Sequence, residues 1–421
     1  MASLTTLSTI LLLTTIHSTT ATVGVLDIDD LLQPNLGQQL YASSTDDPLP
    51  YAPWSYKPHC STSKSLATLG QKFCVYTSNT TGPHGLSLIF SPAAARHATQ
   101  YLSDNPLDSF LTPAEAETLY LSEGGQPWKV VDIPGKDKGV VATRKIKQYE
   151  TFMVDQAAVV LSTEVEPALG NSETKRLLRV AVERLLVPGM IRDMKEEEGT
   201  LEEDIIKTNA FGATVADVGT HTLYPLISRI NHACNPNSFV LFSRAGVSMA
   251  IKAYRDIEVG EEISISYLLL GIPHKQRQNL ISRWGFKCTC SLCSLPDRER
   301  QASDLRRTMI AQGEEKIVQL ADAYKLSEAI TLAEEIVALI LEEDIHPLLS
   351  DSYAMLAMLW LEKGDREKAE MYGEMTKRLL GDLGFLGVGE EREAWSLETL
   401  LGNMGAMGGE GKPWRKAPLR G

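Results

Sequence analysis

The chain has 421 residues, of which 43% are hydrophobic, six are cysteines, and the formal net charge is −13 at pH 7. This composition excludes a disulfide-built scaffold and predicts a globular protein with roughly two or three domains. The acidic balance argues against general nucleic-acid binding, because phosphate contacts need clustered Lys and Arg, whereas a basic protein would be attracted. No direct nucleic-acid binding is therefore expected.

Residues 1–22 predict a secretory signal peptide. The apolar run Ile10 to Leu13 lies in a Ser/Thr-rich segment without acidic residues, and Thr19 and Ala21 are small residues suited to cleavage. The segment contains no Lys or Arg, so a disordered N-terminus is the alternative. A signal peptide implies the secretory pathway or the cell exterior, and its absence implies a nuclear or cytoplasmic protein. No stretch is long enough for a membrane span.

Residues 23–125 form an N-terminal region to which the sequence gives no chemical role. Its prolines and short β-prone pieces predict loops and strands. Cys60 and Cys74 are fourteen residues apart and would form a disulfide in an oxidising compartment or remain free thiols in the cytosol. The sequence leaves both alternatives open.

Residues 126–270 carry β-branched and aromatic runs that predict strands over 128–161, 238–242, 247–254 and 263–267. Helical spacing over 171–186 and 202–211 predicts a helical insert at about 165–220. The expected fold class is α+β, in which a β-rich domain is interrupted by helices.

Beyond Pro296 the pattern changes to amphipathic helices. They are predicted at 304–324, 326–342, 348–362 and 367–380. Short connections predict antiparallel neighbours, and the pattern from Tyr353 to Tyr372 resembles a tetratricopeptide (TPR) helix pair. Residues 296–380 are therefore predicted as a TPR-like α-helical domain, and the glycine-rich residues 381–421 as a flexible tail.

Cys288, Cys290 and Cys293 form C-x-C-x-x-C, which places three thiols on one tight loop. Tetrahedral Zn²⁺ requires a fourth ligand, and Cys234 is the natural donor. The alternative is two disulfides, but cysteines this close along the chain pair poorly with one another. We predict a structural zinc site formed by residues 271–295 together with Cys234.

Two motifs flank Cys234. Asn231-His232 precedes it, and Gly260-Glu261-Glu262-Ile263 leads to Tyr267 at the end of a predicted strand. Upstream, Gly139 lies in a turn where a backbone could approach a ligand closely. Taken singly, these residues indicate a capped turn, a core tyrosine and a hairpin glycine.

The Asn-His segment, the segment from Gly260 to Tyr267 and the cysteine loop follow one another in this order. Together they resemble the SET domain of protein-lysine methyltransferases, in the SMYD-like and fungal branch. The resemblance assigns 126–270 to the SET domain and 271–295 to a zinc-binding post-SET segment. It implies S-adenosylmethionine as methyl donor and Tyr267 as the catalytic tyrosine. It further implies a set of cofactor-binding residues: Lys138, Gly139, Asn231, His232 and Phe286, the last as a lid on adenine.

The sequence departs from the family pattern in three places. Asp137 stands where the first glycine of Gly-x-Gly is usual, and Tyr149 stands where glycine usually precedes Glu150. The helical insert has no cysteine, so the MYND zinc finger usual in this branch is missing. Tyr224 is a further candidate for lining the channel of the substrate lysine.

The expected function is an S-adenosylmethionine-dependent protein-lysine N-methyltransferase. Its partner would be a protein or peptide that presents lysine, histone or non-histone, and the C-terminal helices would help form the peptide cleft. The alternative, which Asp137 and the secretory-looking N-terminus motivate, is a catalytically silent SET module that serves as a protein-binding scaffold.

Overall fold

The computed structural model describes residues 51–121, 125–194, 202–389 and Arg392. The predicted signal peptide and most of the predicted tail lie outside these residues. The chain divides into two compact units. The first contains the described residues up to 232 together with 236–267, and the second contains 233–235 and the described residues from 268 onward.

The first unit is built on three β-sheets. Their strands are β1 (His59–Thr62), β2 (Lys72–Ser78), β3 (Leu86–Phe90), β4 (Trp128–Ile133), β5 (Asp137–Ala142), β6 (Thr151–Gln156), β7 (Val159–Ser162), β8 (Phe211–Val215), β9 (Val218–Leu223), β10 (Asn231–His232), β11 (Ser238–Phe242), β12 (Ser248–Ala253) and β13 (Glu262–Ile265). The sheet orders are β1-β2-β3-β7-β9-β8, β10-β13-β5-β4 and β11-β12-β6. The strand predicted for 263–267 thus ends at Ile265, and Tyr267 follows it.

Helices in the first unit lie between the strands. They are α1 (Pro92–Ala98), α2 (Pro113–Leu121), α3 (Val165–Leu169), α4 (Asn171–Glu183), α5 (Pro188–Arg192) and α6 (Glu202–Asn209). Helices α3 to α6 form the predicted insert. Leu177, Leu178 and Ala181 of α4 share a buried cluster with Val75 and Ile89 of the six-stranded sheet, so the insert covers one face of that sheet.

The N-terminal region belongs to the same sheet as strands from the predicted SET domain. Strand β3 pairs in parallel with β7, whose four residues are all buried, as expected for a strand between two neighbours. Cys60 and Cys74 lie opposite each other on β1 and β2 and form a disulfide. The structure therefore decides the alternative that the sequence left open.

The second unit is helical apart from its cysteine loop. Its helices are α7 (His274–Ile281), α8 (Asp297–Asp322), α9 (Leu326–Glu342), α10 (Leu349–Glu362) and α11 (Arg366–Leu383). From α8 onward each helix packs on the next. A Cβ on Gly313 of α8 would lie 2.4 Å from Cδ1 of Ile336 on α9, so glycine permits a close helix contact there.

Helix α8 begins seven residues before its predicted start. Pro296 precedes it, and Asp297 and Glu299 in its first turn interact favourably with the helix dipole. The bounds of α9 are as predicted, while the TPR-like assignment stays a prediction. Within the part of the chain that the structure describes, none of the helices has the length and apolar character of a membrane span.

Candidate functional site

The four-stranded sheet brings together segments that are far apart in the sequence. Strand β10 pairs in parallel with β13, so that Asn231 lies opposite Ser264 and His232 opposite Ile265. Strand β13 also pairs with β5, the strand that contains Lys138 and Gly139. The sheet thus places these predicted cofactor residues on β10 and β5, the two strands that flank β13.

The side chain of Asn231 is held by groups of the two strands that follow β10 in the sheet, β13 and β5. Its Nδ2 donates to the backbone oxygen of Lys138 and to Oε1 of Glu262, both at 3.0 Å. The other oxygen of Glu262 accepts from Nζ of Lys136 at 2.6 Å. With its nitrogen engaged by two acceptors, the amide leaves its oxygen as an acceptor suited to an exocyclic amine such as that of adenine.

Glu262 and Lys136 were not assigned a role in the sequence analysis. Glu262 belongs to the Gly-Glu-Glu motif, but the motif does not show which of its two acids reaches Asn231. Lys136 lies in a turn, and its partner Glu262 is 126 residues away in the sequence. Local sequence pattern therefore could not predict this ion pair.

Gly139 leaves space for the amide of Asn231. A Cβ at this position would lie 2.6 Å from Nδ2 of Asn231 and 2.7 Å from Cγ1 of Ile133, both closer than real contacts allow. A side chain would therefore displace Asn231 or Ile133. In the structure the group close to Gly139 is Asn231, and the expected close approach of its backbone to a ligand stays a prediction.

Both positions where the family usually has glycine adopt the left-handed backbone conformation. Asp137 has φ +60° and Tyr149 has φ +64°. Glycine reaches this region without steric cost, whereas a side chain is strained there, aspartate less so than tyrosine. The side chain of Asp137 is exposed, so it points to solvent and does not fill the turn.

Tyr267 contacts the Asn-His segment through its backbone and its side chain. Its N–H donates to Nδ1 of His232 at 3.0 Å, and its hydroxyl donates to the backbone oxygen of Ile230 at 2.8 Å. The side chain is only 7% exposed. Burial, with a smaller contribution from the charge of Glu262, raises the pKa of Tyr267 above its ordinary value, so the hydroxyl stays protonated.

Asp155 anchors the turn that leads into Asn231. This buried carboxylate accepts from the backbone N–H of Leu226 at 2.6 Å and of Ile227 at 3.0 Å, at the start of the 3₁₀ turn Ile227–Arg229. Asp155 was not among the predicted site residues, although a lone acid in the otherwise uncharged strand β6 was an available signal. Asp155 therefore positions the Asn-His segment.

The structure contradicts the suggestion that Tyr224 lines a lysine channel. Tyr224 is 0% exposed, and its hydroxyl donates to the backbone oxygen of Gly246 at 2.6 Å. Its ring packs edge-to-face on Phe211 and Phe242. It is a core residue, because the apolar ring is buried and its one polar group is satisfied.

In the second unit, the four cysteines predicted as ligands meet in one cluster. Their sulfur atoms all lie within 4.8 Å of one another, and none forms a disulfide. Sγ of Cys234 is 3.8 Å from that of Cys288 and 3.5 Å from that of Cys293. Zinc–sulfur bonds of about 2.3 Å in a tetrahedron place sulfurs about 3.8 Å apart, so the donor set fits zinc.

Neighbouring groups hold this cluster in place and alter its acidity. The side chain of Gln278 donates to the backbone oxygen of Cys288 at 2.9 Å and accepts from its N–H at 3.2 Å. Hydrogen bonding from Cys234 lowers the pKa of Cys290, while interaction with Cys288 raises the pKa of Cys234. Binding of a divalent cation would require these groups as thiolates.

Phe286 also lies in the second unit, directly after Gly285, which ends a 3₁₀ turn with φ +78°. Its side chain is 36% exposed. The assignment of Phe286 to adenine stays a prediction.

Part of this chain is similar to known proteins. Residues 137–268 match the SET domain family. Histone-lysine N-methyltransferase set5 of Schizosaccharomyces pombe is 32% identical over 189 residues, which cover 44% of this chain and 56% of that protein. Human histone-lysine N-methyltransferase SMYD3 is 31% identical over 172 residues, 39% of each chain. The chain thus spans about half or less of the length of these relatives.

Proposed function

We propose that this chain, whose residues 137–268 match the SET domain family and which has SMYD-like relatives, is a protein-lysine N-methyltransferase that uses S-adenosylmethionine. The observation that carries the proposal is the meeting of Tyr267 with the Asn-His segment and of that segment with Gly139. The substrate is a protein or peptide that presents lysine, and histones are one candidate class because both relatives are named as histone-lysine methyltransferases.

The residues of the site suit a displacement at carbon by a neutral amine. When bound, S-adenosylmethionine supplies an electrophilic methyl group. Lys138, Gly139, Asn231 and His232 would hold it through backbone groups and the free amide oxygen of Asn231. Tyr267 stays protonated and fixed by Ile230, so it can orient reacting groups without taking their protons. Catalysis then depends mainly on alignment and the exclusion of water.

Replacing Tyr267 tests this role. Purified wild type and Tyr267→Phe are incubated with methyl-labelled S-adenosylmethionine and a protein lysate, and incorporated label is measured. We expect the rate of label incorporation to fall roughly 100-fold, as it does when one positioned hydrogen-bond donor is removed from an active site. Tyr224→Phe is the matched control, because it also removes a buried hydroxyl that donates to a backbone oxygen. Equal labelling by wild type and Tyr267→Phe would discredit the assignment.

Titration calorimetry with S-adenosylmethionine separates an enzyme from a catalytically silent scaffold. The proposed enzyme binds the cofactor, and Tyr267→Phe retains most of that binding. A folded wild type that binds none would support the scaffold.

We further propose that Cys234, Cys288, Cys290 and Cys293 hold a structural zinc ion. Four sulfur donors leave no open coordination position, so the ion would fold the loop and take no part in methyl transfer. We expect one zinc per chain by elemental analysis and loss of that metal in Cys288→Ser. Ser291→Ala in the same loop should retain it. Native protein without bound metal would contradict the proposal.

A further inference from the structure

A pocket in the second unit lies among α8, α9 and α10. Most of its lining is apolar and comes from Ile317, Ala333, Ile336 and Met355. Its polar groups belong to Glu314 of α8 and to Asp351 and Ser352 of α10. The hydroxyl of Ser352 donates to the backbone oxygen of Leu348 at 3.2 Å. The two carboxyl groups are therefore the polar groups that the pocket offers to a ligand.

Nothing in the described part of the chain neutralises these carboxylates. Removal from water raises the pKa of Glu314 to about 7. Removal from water, together with repulsion from Glu314, raises the pKa of Asp351 to about 7. No positively charged side chain of the described residues offsets either shift. Each carboxylate therefore destabilises the folded state when ionised unless a cation joins it.

The position within its helix favours a negative charge at one of the two acids and not at the other. Asp351 lies in the first turn of α10, where a negative charge interacts favourably with the helix dipole. Glu314 lies well inside α8, next to Gly313 and the close contact with α9. No helix terminus favours a charge there. The pairing of both acids in one apolar pocket is thus better explained by a ligand of opposite charge.

We propose that this pocket receives the side chain of a lysine or arginine from the protein substrate. The aliphatic stem would pack on Ile317, Ile336 and Met355, and the cationic head would lie between the carboxylates. The net charge of −13 favours encounter with such a basic partner. This inference rests on the proposed function, which requires a lysine-bearing protein, and it gives the helical unit a part in binding that protein.

The test is the affinity of a fluorescein-labelled ten-residue peptide of alternating lysine and glycine for the full-length protein, measured by fluorescence anisotropy at pH 8 without S-adenosylmethionine. We expect the Glu314→Gln/Asp351→Asn variant to bind about tenfold more weakly, since two charge-assisted contacts are lost. The double variant Glu335→Gln/Glu362→Gln is the matched control. It removes two exposed acids from α9 and α10 outside the pocket and should change affinity little.

Carbodiimide labelling of wild type, read by mass spectrometry, gives a result that does not depend on folding of the variants. The peptide should protect Glu314 and Asp351 and leave the labelling of Glu335 and Glu362 unchanged. Equal affinity of wild type and pocket variant, or equal binding of a peptide with glutamine in place of lysine, would overturn the proposal. It would also be overturned if wild type binds only after the four basic residues within 412–420 are replaced, because the occupant would then be the chain's own C-terminal segment.

This outcome is separable from that of the proposed function. A scaffold that binds no cofactor would still show charge-dependent peptide binding at the pocket. A methyltransferase whose pocket is not used would still label the peptide, and the Glu314→Gln/Asp351→Asn variant would leave its KM unchanged.

Discussion

At the scale of single residues, the site shows why the departures from the family pattern are tolerated. Asp137 and Tyr149 occupy left-handed backbone positions, which cost stability but do not require a different chain path. The exposed side chain of Asp137 leaves the backbone of Lys138 and Gly139 in contact with Asn231. The substitutions therefore alter stability more than site geometry.

Asp137→Gly and Tyr149→Gly should each stabilise the protein. Relief of the left-handed strain outweighs the greater entropy of glycine in the unfolded chain, for a net gain of about 0.5–1 kcal/mol. Urea denaturation measures the change, and calorimetry should show unaltered affinity of Asp137→Gly for S-adenosylmethionine. Lys129→Gly, at an exposed position of β4 without positive φ, is the control and should lose stability. Destabilisation by both glycine variants would contradict this account of the turns.

At the scale of elements, the disulfide joins β1 to β2 at the edge of the six-stranded sheet. It closes a loop of 14 residues, which restricts the unfolded chain. We expect Cys60→Ser/Cys74→Ser to lose about 3 kcal/mol in the free energy of unfolding, measured in urea.

The control for this prediction is to repeat the measurement after reduction, when wild type and variant should unfold alike. Equal stability before reduction would show that the bridge does not form in the purified protein, as expected for a cytosolic chain.

At the scale of the whole molecule, the carboxyl groups of Glu314 and Asp351 make stability depend on pH. Their pKa values in the folded state, about 7, exceed the ordinary values, so the folded state binds more protons than the unfolded state over that interval. Their contribution to the free energy of unfolding therefore falls as the pH rises from about 4 to about 7. We expect Glu314→Gln/Asp351→Asn to gain melting temperature relative to wild type at pH 8, with little difference at pH 4.5. A difference in melting temperature between variant and wild type that is the same at pH 8 and pH 4.5 would contradict this prediction.

Much of the fold could be predicted because its signals are local. The strands around Gly139 and Ile263, the insert helices and the bounds of α9 follow from side-chain periodicity and turn residues. The cysteine spacing likewise indicated one cluster, since three of its members lie within six residues. The sequence could not predict that strands β1 to β3 belong to the same sheet as β7. Strand β3 pairs with β7 in parallel across a long connection, and such a pairing does not affect the periodicity of the sequence.

The sequence by itself determined which groups are available: four thiols, an Asn-His pair, a tyrosine at the end of a predicted strand and a glycine at a predicted turn. Only the tertiary structure decided which of them meet. It placed Glu262 and Lys136 beside Asn231, assigned Tyr224 to the core and brought Glu314 and Asp351 into one pocket. The physical reason is that residue type and spacing fix local conformation, whereas pairing between distant segments depends on burial and hydrogen bonding that exist only in the folded chain.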